Sequence, residues 1–143
     1  IATPNQFELE WLTGRAIRSL ADAKAAITAL QAKGPRCVLL TSLRTEATGD
    51  DEIEMLAAEG GGFWRLRTPM LPLSVNGAGD AIAALFLFHR LKSGAAAAAL
   101  EAAAASIFGL LSRTLEAGAR ELQVVSAQEE ITAPSRRFIA EAC

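Results

Sequence analysis

The sequence predicts an α/β layered fold with a mostly parallel sheet, and three observations carry that expectation. Segments of helix length with an apolar stripe alternate with short apolar runs along the chain. Cys37-Val38-Leu39-Leu40-Thr41 is a continuous apolar run of strand length, the pattern of a strand covered on both faces. Gly77-Ala78-Gly79-Asp80 is a glycine turn running straight into the apolar residues 81–88, as a loop feeding a helix beside a sheet would. At 143 residues the chain is one domain's worth and long enough to bury a core. Hydrophobic residues at 51% and charged residues at 21% exclude a disordered tail, and a net charge of −2 gives no bulk attraction for nucleic acid. Cys37, Cys143 and the single histidine His89 are too few for a zinc site or a disulfide framework, so a reduced cytoplasmic setting is expected. No charged-then-apolar leader follows Ile1, and no signal peptide is expected; a start directly on a motif is what a truncated chain would give.

In chain order, Ile1-Ala2-Thr3 reads as the end of a strand, broken by Pro4. Residues 5–12 read as a short helix with Phe7 and Trp11 one turn apart on a packing face, ended by Gly14. Ser19 or Asp22 caps a helix to Lys33, with Leu20, Ala23, Ile27 and Leu30 on one stripe and Gly34-Pro35 stopping it. The strand at Cys37 follows and delivers Thr41 and Ser42 to the edge where open α/β sheets bind ligands. Cys37 itself reads as a core hydrophobe. Residues 44–51 are turn-like. Residues 52–58 and 63–67 around Glu59-Gly60-Gly61-Gly62 read as a hairpin, with a helix over Glu52–Glu59 as the competing expectation. Thr68-Pro69-Met70-Leu71-Pro72 cannot be a central strand, because each proline removes a ladder donor. The helix after Asp80 is apolar nearly all round as far as Lys92, which predicts a central, buried position, with Ser93-Gly94 closing it. Residues 95–115 form an alanine-rich helix that Glu101 and Arg113 argue against as a membrane span. Leu122-Gln123-Val124-Val125 reads as a last strand, and Ser126-Ala127-Gln128-Glu129 as a capping box for a brief helical turn.

The chemistry centres on the glycine turn. Two glycines around a small residue let backbone approach a ligand, and a helix start offers unpaired N–H groups and about half a positive charge. That is a phosphate site. It is not a dinucleotide fingerprint, because Ile82 stands where a small residue is needed, and not a Walker loop, because no lysine is near. On spacing alone Asp80 is either a cap for the helix or a general base beside the anion. His89 lies a little over two turns from Asp80, too far for a catalytic pair. Asn5 and Glu8 share a face at i, i+3, which suits either a cap with a surface acid or a polar pair aimed at one ligand. Thr41 either ends its strand or meets a ligand there, and Met70 and Leu71 suit either an aromatic base or a loop anchor.

Asn76-Gly77-Ala78-Gly79-Asp80 resembles the G-x-G-D signature of ribokinase-like kinases, in which the aspartate is the catalytic base. Thr3-Pro4-Asn5-Gln6-Phe7-Glu8-Leu9-Glu10 is similar to the T-P-N-x-x-E-L-E segment of pyridoxal kinases in that superfamily, and Glu121-Leu122-Gln123-Val124-Val125-Ser126-Ala127-Gln128 resembles their E-L-Q-V-V-x-A-Q ending. The resemblance implies a ribokinase-like layered fold in which residues 1–143 are the C-terminal part of a single kinase domain, incomplete at its N-terminus. It implies ATP-dependent phosphorylation of the hydroxymethyl group of pyridoxal to pyridoxal 5′-phosphate. Asp80 would be base and substrate contact, and Gly77, Ala78 and Gly79 the anion hole. Thr3, Asn5, Glu8, Thr41, Ser42, Thr68, Pro69, Met70 and Leu71 would be ATP contacts, with Glu8 also serving Mg2+, directly or through water. It further implies a cytoplasmic homodimer with ATP and pyridoxal as partners, no nucleic acid and no membrane. Most residues that recognise the pyridine ring belong to the other half of such enzymes. A hydroxymethylpyrimidine or sugar kinase, or a catalytically inert half-domain, are the alternatives. Without flanking strands the Cys37 strand would have an unpaired edge, which predicts poor solubility.

Overall fold

The computed structural model describes residues 1–143, and its first two helices each start where a polar side chain takes up first-turn amides. Helix α1 (Gln6–Thr13) is capped by Asn5 and α2 (Leu20–Gln31) by Ser19; in each a reciprocal bond comes back from the third helical residue, Glu8 or Asp22. Gly14, at φ 67°, ends α1 in the left-handed conformation that glycine adopts without a Cβ penalty. The α2 stripe is as expected: Ala23, Ile27 and Leu30 are buried.

Strands β1 (Cys37–Leu43), β2 (Glu52–Glu59), β3 (Gly62–Pro69) and β4 (Glu141–Ala142) form one sheet in that order. Every neighbouring pair is antiparallel, which corrects the mostly parallel sheet expected from the sequence. An unbroken apolar run reports that both faces of a strand are covered; it carries no information about direction. The residues that decide direction are Gly60 and Gly61, at φ 58° and 85°, which turn β2 directly into β3 and leave no length for a parallel crossover. The hairpin therefore stands, and the competing helix over Glu52–Glu59 does not. Parallel pairing is confined to single bridges. Ala2 pairs with Val38 and Asn5 with Thr41, held by Leu39 N–H to Ala2 O at 2.9 Å and Thr41 N–H to Pro4 O at 2.9 Å. Residues 2–5 thus cover the far edge of β1, which is not left unpaired. Thr68 and Pro69 are the last residues of β3, beyond the short stretch that β4 covers, where a missing ladder donor costs nothing.

Alternation along the strands makes two cores. Val38, Leu40, Leu56 and Ala58 face α1 and α2, meeting Leu9, Ala23 and Ile27. Cys37, Leu39, Met55, Ala57 and Leu66 face α3 (Ala78–Ser93) and α4 (Ala96–Glu116), meeting Phe86, Leu100, Ala103 and Leu110. Each fully buried Leu or Phe contributes roughly 1.5–3 kcal/mol. The central helix is α4, whose Ala99, Leu100, Ala103 and Ala104 have no exposed surface; small side chains let it lie close to the sheet and to α3. Although α4 is long and apolar enough to cross a bilayer, its apolar stripe is spent on this core.

Helix α3 is more peripheral than expected. Only Ile82, Leu85 and Phe86 are buried, while Phe88 is 55% and Leu91 75% exposed. An all-round apolar sequence left its inner face ambiguous, and the alanine-rich neighbour took the centre. Phe7 and Trp11 do not pack inward either, at 74% and 78% exposure; Leu9 is the residue of α1 that does. Residues 122–125 are irregular chain passing into a turn rather than a strand, since Asn76 offers a ladder only to Glu121. Ser126 bonds Gln123 instead of capping, and the final turn α5 (Glu129–Thr132) begins after Gln128. Glu130 of α5 is buried against Gly109 of α4, where a Cβ would collide with its carboxylate.

Candidate active site

The ends of β1 and β3 and the start of α3 open onto one cleft of about 400 Å³. Thr41 and Ser42 line it from β1; Thr68, Pro69, Met70 and Leu71 from the end of β3; Ala78 and Gly79 from α3. These residues, nominated from three separate stretches of sequence, are therefore neighbours. The apolar floor was not foreseen: Ile53 and Met55 of β2, Ile82 of α3, and Ile107, Phe108 and Leu111 of α4. Its signal was present, since Ile107, Phe108 and Leu111 are bulky residues clustered within about one turn of a helix that is otherwise rich in alanine.

Gly77 occupies the cap position of α3 at φ 88°, a conformation that favours glycine. The amides of Ala78, Gly79 and Asp80 follow it with no helical acceptor a turn earlier; Ala81 N–H is the first to find one, at Gly77 O, 2.9 Å. Gly79 has an ordinary helical backbone, and a Cβ there would meet nothing within 4 Å. Asp80 is the third residue of the helix and exposed, and its carboxylate makes no hydrogen bond within the chain. Its side chain does not cap α3.

Residues 2–5 bring the remaining group alongside. Asn5 bridges Thr41, so Asn5, Glu8 and Thr3 stand next to the β1 end of the cleft without lining it. Asn5 Oδ1 accepts from Glu8 N–H at 2.8 Å and Glu8 Oε2 accepts from Asn5 N–H at 2.9 Å, so both side chains cap α1. The other carboxylate oxygen of Glu8 is uncommitted. Ser42 adopts φ 53° where the register of β1 shifts between Leu40 and Leu43. A left-handed non-glycine residue costs about 1–2 kcal/mol, and here it turns the strand end at the cleft wall. His89 lies away from Asp80, on a second cavity with Glu101 and Arg137; its Nε2 is buried without a partner, and burial holds its pKa below the usual histidine value.

The family model described as phosphomethylpyrimidine kinase matches residues 1–125, and the chain belongs to that family. Among curated proteins it is similar to the pyridoxal kinase PdxY of Granulibacter bethesdensis, 56% identical over all of this chain and 51% of the relative. It is also similar to the pyridoxal kinase PdxY of Rubrobacter xylanophilus, 51% identical over 96% of this chain and 48% of the relative. The chain spans about half the length of the curated relatives it matches. The same fold is seen in a pyridoxal kinase from Leishmania donovani in complex with ADP and ginkgotoxin, at TM-score 0.86 and 24% identity, covering 99% of this chain and 50% of that one. A putative phosphomethylpyrimidine kinase from Bacteroides thetaiotaomicron matches at TM-score 0.87 and 20% identity, with 99% and 50% coverage.

Proposed function

We propose that residues 1–143 form the C-terminal part of a ribokinase-like kinase domain that phosphorylates the hydroxymethyl group of pyridoxal from ATP, giving pyridoxal 5′-phosphate. The observation that carries this reading is the exposed, unbonded carboxylate of Asp80 on the same first turn as three free amides, with Ala78 and Gly79 of that turn lining the cleft. In-line phosphoryl transfer asks for positioning, charge stabilisation and a proton acceptor. Asp80 accepts the hydroxyl proton as the oxygen attacks phosphorus. The amides of Ala78, Gly79 and Asp80, with Gly77 setting their direction, hold the charge on the moving group. Met70 and Leu71 flank the base of ATP, while Thr68 and Pro69 border it. Thr41, Ser42, Asn5 and Thr3 form the polar edge.

Magnesium suits this donor set in a limited way. Among the side chains near the cleft, Glu8 offers one uncommitted carboxylate oxygen, and Mg2+ bound chiefly by phosphates and water needs few protein carboxylates. When bound it would screen the phosphate charge; Glu8 would hold its position, itself fixed by the Asn5 cap. The resemblance to pyridoxal kinases extends the reading to a homodimer in the cytoplasm, where Cys37 and Cys143 remain free thiols.

A hydroxymethylpyrimidine substrate is the second reading, favoured by the description of the matching family model. Assaying the kinase that carries this chain with ATP and Mg2+ against pyridoxal, hydroxymethylpyrimidine and ribose separates the two. Pyridoxal is expected to turn over fastest, and Asp80→Asn to lower kcat by about 10²–10⁴-fold with the melting temperature and ATP affinity unchanged. Faster turnover of a rival substrate overturns the assignment, and near-normal kcat in Asp80→Asn overturns the mechanism.

A further inference from the structure

We infer that Arg44 anchors the nucleotide in this cleft, its guanidinium holding the phosphate chain; the inference rests on the nucleotide-binding reading above. The cleft has an electrostatic deficit. No lysine, arginine or histidine is among its lining residues. The start of α3 supplies amides and only about half a positive charge, against a triphosphate bearing several negative charges.

Two guanidinium groups touch the cleft wall from outside. Arg136 is engaged, lying over the rings of Phe108 and Phe138 at 5.2 and 5.1 Å. Arg44 is not. Its Nη1 is 3.2 Å from the thioether sulfur of Met70, and its Nη2 is 3.4 Å from the carbonyl oxygen of Asp50. A thioether is a weak acceptor, and the second bond is long. No carboxylate pairs with Arg44, although Glu46, Asp50 and Asp51 lie on the same loop.

The base of the residue is fixed while its head is free. Arg44 N–H donates to Gln6 Oε1 at 2.9 Å, and the preceding Leu43 is fully buried, so the side chain springs from an anchored point on the rim. It already reaches Met70, one of the residues that line the cleft. A bound polyphosphate would exchange two weak acceptors for charged oxygens, in the forked geometry that arginine provides. Arg44 then closes one side of the phosphate chain while the α3 amides hold its end.

The test is calorimetric titration of the kinase that carries this chain, and of its Arg44→Ala and Arg44→Lys variants, with ATP, ADP and adenosine, after circular dichroism has verified folding of the exposed-site variants. Arg44→Ala is expected to weaken ATP and ADP about tenfold and adenosine less than about twofold, with Arg44→Lys intermediate and the ATP loss shrinking as salt rises. Unchanged ATP affinity in Arg44→Ala overturns the inference and leaves the cleft assignment standing. Equal losses for ATP and adenosine overturn it too, since the guanidinium would then act on the base. A wild-type kinase that binds neither ATP nor ADP removes the nucleotide cleft itself and the role of Arg44 with it.

Discussion

Gly79 is a glycine that its own surroundings do not require. Its backbone is helical, open space lies where a Cβ would go, and alanine is the better helix former by up to about 1 kcal/mol. What remains is room for a ligand against the amides. Gly79→Ala is expected to leave the melting temperature level or slightly raised while kcat/KM for ATP falls about tenfold or more; an unchanged kcat/KM would mean that no phosphate approaches this backbone. Asp80 shows how far sequence could go. Its spacing allowed a cap or a base, and the placement of Gly77 at the cap position, one helical turn earlier, is a backbone fact that no spacing rule contains. For Asn5 and Glu8 the pattern N-x-x-E is itself a capping-box signature, and the structure realises it in full. Capping and metal service are compatible here, because the cap uses one carboxylate oxygen only.

The junction between α4 and α5 turns on a single buried carboxylate. Glu130 accepts Ser135 N–H at 2.8 Å and lies 3.4 Å from Arg113 Nε, and the Ser135 bond, then Arg113, hold its pKa below the usual 4.5. A carboxyl with a depressed pKa in the folded state stabilises above its unfolded pKa, and that contribution is lost as pH falls through the folded value. Glu130→Gln is therefore expected to cost about 1–3 kcal/mol at pH 7, read by thermal melting, with the gap to wild type closing as pH falls below the ordinary carboxylate value of 4.5 and through the lower folded one. A gap that is constant with pH would show that the charge contributes nothing. This lock was not legible in the sequence: it needs Gly109 and Glu130 in contact, and neither local pattern refers to the other. Elements with local signals were legible. The α1 and α2 caps, the glycine turn of the hairpin and the αL glycines at 14 and 94 all appear where expected. Strand direction and the rank of α3 against α4 were not, because both depend on which partner packs where.

Across the whole molecule the apolar surface is unevenly covered. Phe7 and Trp11 on α1 and Phe88 and Leu91 on α3 are each more than half exposed, and they lie on helices from opposite faces of the sheet. Side chains of this size left in water favour association. The chain alone is expected to self-associate at micromolar concentration and to bind a hydrophobic dye, and Phe88→Ser with Leu91→Ser to reduce both; sedimentation of the unmodified chain as a monomer without dye binding would contradict this. The pairing of Ala2 with Val38 and of Asn5 with Thr41 has a further consequence, for the order of assembly. The β1–β2–β3 meander joins sequence neighbours and can form early, whereas the parallel segment must first close a loop through two helices. Glu8 rides on that slower crossover. A nascent chain thus forms the sheet wall of its cleft before the acid that stands beside it docks.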